Sequence, residues 1–179
     1  MNYATISGDI ISSTSLSGAD KRRLEQSITG LFADLTDKYS DMVFYGRLVQ
    51  GDHVECAMTA PQYVLRIALM LKTFIKSLEL PKDKPKDKRI EHFKEHGLRV
   101  AAAVAPLDTL DSRAGIIDGE AIQLSGRAIK NLDTSAKKKV IIKNTMFFCS
   151  PNRKEEEQFA PVFALLYILL SKCSAKQYQ

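Results

Sequence analysis

Two aspartates have the type and placement that metal chemistry needs. Asp9 follows Gly8 at the end of a short apolar run, Tyr3 to Ile6, and Asp52 follows Gly51 between two strand-like runs. A carboxylate at the end of a stiff strand is a hard-oxygen donor held in place. Two of them at one edge suit Mg²⁺ or Mn²⁺, whose other positions are filled by water and phosphate oxygens. Two such ions about 4 Å apart stabilise both the attacking and the leaving oxygen of a phosphoryl displacement. The carbonyl of Ile10 would be a natural extra metal ligand. Ser12, Ser13 and Thr14 fall just before or at a helix start, where hydroxyls and free backbone amides favour phosphate oxygens. Taken singly, an Asp beside a Gly is a common turn residue. Only a fold that brings the two together makes them a site.

The elements that must do this are legible from periodicity. Residues 2–7 read as a strand that Gly8-Asp9 ends. Leu24, Ile28, Leu31, Leu35 and Tyr39 recur at helical spacing and predict an amphipathic helix over about 18–39. Runs 43–49 and 53–58 are strand-like and are separated by Gln50-Gly51-Asp52, a tight hairpin signal. Pro61 opens a further helix, with an apolar face of Val64, Ile67, Ala68, Leu71, Ile75 and Leu78. Residues 98–105 are small and apolar, which predicts a central strand covered on both faces. A turn over 115–119, a helix over 120–131, a short strand over 140–143, a helix or turn over 144–150 and a last helix over 155–171 complete the series.

The order βαββαβ is that of a ferredoxin-like α+β domain, an antiparallel sheet with helices on one face, here with a C-terminal helical extension. In that plan the end of the first strand and the turn between the second and third lie at one sheet edge, which places Asp9 beside Asp52. The predicted division is a domain over 1–155 containing a charged, mobile linker at 81–97, followed by a C-terminal helix and the start of a further helical element over 156–179. Alternation turns His53 away from Asp52, which favours a structural role. His92 and His96 have metal-compatible spacing but lie in the charged linker, where a solvated face accounts for them.

The 179 residues, 45% of them hydrophobic and 26% charged, exclude a disordered or fibrous chain. Net charge is +5, but it is unevenly spread. Residues 1–60 hold five basic and eight acidic side chains, a local −3, whereas 127–154 hold eight basic and one acidic, a local +7. An acidic early segment suits a metal and a basic late one suits a polyphosphate, better than either suits a duplex. The Lys137-Lys138-Lys139 run could reach a triphosphate or merely tolerate solvent. Three cysteines without metal spacing fit a reducing, cytoplasmic setting. The apolar run from Phe159 to Leu170 has 12 residues, short of the ~20 a membrane span needs. Its part from Val162 to Leu170 is apolar all round, so it packs in the core or against another chain.

Four segments taken in order resemble the motif series of class III nucleotidyl cyclases. They are Ser7-Gly8-Asp9-Ile10-Ile11-Ser12-Ser13, Gly51-Asp52, Leu98-Arg99-Val100-Ala101-Ala102-Ala103, and Gly119-Glu120-Ala121-Ile122-Gln123-Leu124-Ser125-Gly126-Arg127-Ala128. The resemblance spans roughly residues 3–150 and is nearest to small bacterial SatD-like proteins with a degenerate form of that domain. It implies that Asp9 and Asp52 are the metal-binding pair. It also implies that Arg127 is the arginine stabilising transition-state charge and that Gln123 stands where an asparagine holds the ribose. Gln123 and Arg127 are i, i+4 and share a helix face. The resemblance further implies a head-to-tail homodimer, with aspartates from one chain and arginine from the other. DNA contact would need a helix-turn-helix segment beyond residue 179. The positions of the two purine readers hold Leu48 and Ile116, so adenine cannot be selected in the usual way.

Two functions follow. One is a silent cyclase-like domain that binds a nucleotide or related anion with divalent metal and acts as a sensor. The other is an active Mg²⁺- or Mn²⁺-dependent cyclase releasing pyrophosphate. Loss of both base readers favours the sensor. Direct nucleic-acid binding through 127–154 is weaker, for want of interleaved aromatics.

Overall fold

The computed structural model describes residues 1–78, 97–131 and 144–173. The charged linker with His92 and His96, the Lys137–Lys139 run, the strand expected over 140–143 and the helical start after 173 lie outside the described residues. In chain order the elements are β1 (Tyr3–Ile10), α1 (Gly18–Lys38), β2 (Phe44–Val49), β3 (His53–Met58), α2 (Val64–Ser77), β4 (Leu98–Ala105), β5 (Thr109–Asp111), β6 (Ile116–Asp118), α3 (Glu120–Asn131), β7 (Met146–Cys149) and α4 (Arg153–Lys172). Short 3-10 turns at Ser13–Ser15 and Pro61–Tyr63 precede α1 and α2. The fold is α+β. Its five-stranded sheet has the order β2-β3-β1-β4-β7, antiparallel except for the β4–β7 pair, and β5 and β6 form a separate hairpin.

Each helix is set by the pattern that predicts it. Ser17 caps α1, its hydroxyl accepting from the Asp20 amide at 3.2 Å. Leu24, Ile28, Leu35 and Tyr39 are buried, and Phe32 goes deeper than Leu31. The Phe32 ring lies where a Cβ on Gly46 would be, 2.6 Å away, so β2 can approach α1 only with glycine there. On α2, Ile67, Ala68, Leu71 and Ile75 are fully buried. These two helices cover the sheet face formed by Ala4, Ile6, Val54, Cys56, Met58, Val100 and Ala102, and share one apolar core with it. Phe163 and Tyr167 of α4 join the same core, with Phe163 5.5 Å from the Phe148 ring of β7.

Helices on one face only is not what forms. The opposite face carries Thr5 and Ser7, and both meet Ser125 of α3, at 3.2 and 2.8 Å. All three hydroxyls are fully buried, and Ala101, Ala103 and Ala121 complete a layer of small side chains. Small residues on both sides let the helix backbone settle close to the sheet, and the hydroxyls satisfy one another. This also gives β4 its cover on both faces, as its composition predicts.

Three boundaries differ from expectation. β1 runs on through Gly8-Asp9 to Ile10, because the ladders to β3 and β4 both continue there. Residues 146–149 form a strand rather than a helix or turn. Met146-Phe147-Phe148-Cys149 is too short to show periodicity, and its parallel partner β4 is remote in sequence. The β5–β6 hairpin, three residues a side, has no counterpart among the predicted elements. Among the described residues, no helix is long and apolar enough to cross a membrane.

Candidate functional site

The end of β1 and the β2–β3 turn meet. Asp9 pairs with His53, the residue after Asp52, and the Ile10 amide donates to the Asp52 carbonyl at 2.9 Å. Gln50 and Gly51 both adopt positive φ, 54° and 81°, to turn the chain within this hairpin. The two aspartates therefore sit on adjoining backbone at one sheet edge, as the topology predicts. Ile10 is the last residue of β1, its side chain sealed in the core, so only its backbone is left to serve a ligand.

Their side chains have distinct partners. Ser13 donates its hydroxyl to Asp52 Oδ2 at 2.9 Å. Ser13 is thus turned inward onto the carboxylate, while Ser12 takes a left-handed φ of 60° and Thr14 is exposed. Ser13 has the Asp52 carboxylate as its partner, whereas Thr14 is open to solvent. The 3-10 turn that holds them is separate from α1, whose first amides belong to Ser17, Gly18 and the residues after them. Asp9 faces Arg99 of β4, its direct neighbour across the sheet, with NH1 to Oδ2 at 3.7 Å. The Arg99 side chain is 13% exposed and that of Asp9 is 32% exposed, so Arg99 is the more enclosed of the two side chains.

A row of charge that no single segment's pattern shows runs across this part of the sheet. The registers place His53, Asp9 and Arg99 in one line, with Glu55 opposite Ser7 and Arg47 opposite Glu55 in the next. Arg47 donates from Nε to Glu55 Oε2 at 2.8 Å and also binds the Gly115 carbonyl of the β5–β6 hairpin. His53 Nε2 lies 3.7 Å from Glu55 Oε1. The signal was present: Arg99 is the one charged residue in the apolar run 98–105, and a charge inside a central strand must have a partner. His53 turns away from Asp52 by alternation, but the register that matters is the one with Asp9.

Gln123 and Arg127 form their own pair, with Arg127 NH2 donating to Gln123 Oε1 at 3.3 Å. Both are exposed on the side of α3 opposite Ala121, Ser125 and Ile129, which face the sheet. A single chain thus presents them to solvent rather than to the aspartates. Leu48 packs against the core and Ile116 is 46% exposed on β6.

Two carboxylates with a backbone carbonyl nearby are the right donor class for Mg²⁺ or Mn²⁺. Against this, among the described residues no group of three or more His, Cys, Asp or Glu side chains converges as a metal cage, and a cation already stands beside Asp9. Compared with protein-family models the chain matches none, and no curated protein matches it.

Proposed function

We propose that this chain is a cyclase-like domain that binds a nucleoside triphosphate or related polyphosphate together with Mg²⁺ or Mn²⁺ and acts as a sensor rather than turning its ligand over. The observation that carries this reading is the junction of the β1 end with the β2–β3 turn, where Asp9 and Asp52 adjoin. The strand order β2-β3-β1-β4 supports a ferredoxin-like core, since a split βαββαβ plan runs in that order. The motif series over residues 7–128 supports the link to class III cyclases. The sensor is favoured over the enzyme because Leu48, at the position of a polar base reader, is partly buried and packs against the core. The charge on Asp9 is also already matched by Arg99.

The active cyclase is the second reading, and one observation favours it. Gln123 and Arg127 are exposed on α3, where a second chain in a head-to-tail homodimer would meet them. One experiment separates the two. The melting temperature is measured with each nucleoside triphosphate and Mn²⁺, and pyrophosphate release is assayed in parallel. A sensor gives a rise in Tm that Asp52→Asn removes, with no pyrophosphate. Pyrophosphate that disappears in Asp9→Asn establishes the enzyme instead. No shift and no product with any triphosphate would overturn both.

A further inference from the structure

The metal site implied above and the charges around Asp9 do not agree, and the disagreement is informative. A two-ion site needs both carboxylates free to face divalent cations. Asp52 meets this need, since its partner is a neutral hydroxyl that can reorient toward another acceptor. Asp9 does not. Arg99 is its direct cross-strand neighbour, its guanidinium is permanently charged, and its side chain is only 13% exposed. A second cation brought to Asp9 would meet that charge at close range, in surroundings where repulsion is screened less than in water.

We infer that Arg99 is a built-in cation occupying the second-ion position, so that the site accepts one divalent ion, on the Asp52 side, and holds ligand phosphate between that ion and the guanidinium. The inference rests on the metal-dependent reading of the site and deepens it. Arg99 is a specificity-determining residue here: it sets how many ions enter and how tightly. The geometry is consistent with this role for a reason of length. Arg99 stems from β4, the strand beside β1, and the register at Asp9 is direct rather than diagonal, which brings Arg99 NH1 to 3.7 Å from Asp9 Oδ2.

The test is Mn²⁺ binding to the full chain, read by titration calorimetry and by the loss of free-Mn²⁺ paramagnetic resonance signal. The proteins are wild type, Arg99→Met, Arg99→Lys and Asp9→Asn/Arg99→Met. Arg99→Met is expected to bind Mn²⁺ about tenfold more tightly than wild type and to gain a second ion. Arg99→Lys keeps the charge and is expected to stay near wild type, and it guards against a fold defect in the methionine variant. The double variant is expected to lose the gain. An unchanged or weaker affinity in folded Arg99→Met overturns the inference, as does equal tightening in Arg99→Lys. If wild type takes up triphosphate with Mn²⁺ while Arg99 proves indifferent, only this inference fails. If no variant binds either, the metal-dependent reading fails with it.

Discussion

At the scale of single residues, the molecule places charge where the apolar pattern would not allow it unless it were compensated. Lys72, on the core-facing side of α2, donates to the Leu98 carbonyl at 2.6 Å and to Thr145 Oγ1 at 2.7 Å, tying α2 to the start of β4 and the approach to β7. Burial, with Lys76 and Arg99 nearby, lowers its pKa to about 7 from the ordinary 10.5. The unfolded chain therefore holds more protons between those values, and the stability contributed by this residue rises with pH across that window. The penalty for a charged Lys72 is fully present below about pH 7 and is gone above about 10.5. Urea unfolding at about pH 6.5 and about pH 9 should show a smaller gain on raising pH for Lys72→Met than for wild type. Equal gains in the two proteins would contradict this assignment. Burial likewise pushes the Cys149 thiol up to about 11 and Cys56 higher still, so neither is a ready nucleophile.

At the scale of elements, the β2–β3 hairpin does the positioning. Its turn holds Gly51 at φ 81°, where a Cβ would also stand 2.7 Å from Glu25 Oε1 of α1. That contact is with the end of a flexible side chain and is easily relieved, so the backbone dominates the expected effect. Gly51→Ala should lower stability by about 1–2 kcal/mol, measured by chemical denaturation. No loss would mean that the turn relaxes into another conformation and Asp52 is held less firmly than it stands here. The hairpin was readable because Gln50-Gly51-Asp52 interrupts two alternating runs. The β7 strand was not, since four apolar residues satisfy a helix and a strand equally until β4 supplies hydrogen-bond partners. The face chosen by α3 was also hidden. Its amphipathic pattern shows which side is buried, but not which side of a sheet receives it.

At the scale of the whole molecule, α4 belongs to the same core as the residues before 155. Phe163 and Tyr167 are buried within it, and Lys76 Nζ donates to the Leu170 carbonyl at 2.8 Å. Phe163→Ala should therefore cost about 3 kcal/mol and leave a single cooperative unfolding transition. Two separated transitions in the wild-type protein would show that the helix stands as a unit of its own. The run from Phe159 to Leu169 is apolar on both sides of the helix, and Leu165, Ile168 and Leu169 remain more than half exposed. Helical periodicity cannot rank two apolar faces; only the sheet and α2 select which one is covered.

By itself the sequence determined the strands and helices with strong period, the hairpin at Asp52, and the adjacency of Asp9 and Asp52 at one sheet edge. These follow from local pattern and from a chain order that leaves few connections open. The tertiary structure decided the charges around that edge. Arg99 comes within reach of Asp9, and His53 and Glu55 fall into the same rows, through strand register between segments far apart in the chain. It likewise decided that Ser13 turns to Asp52 and that Gln123 and Arg127 face solvent. Register and face are properties of pairs of elements. Periodicity within one element carries no record of them.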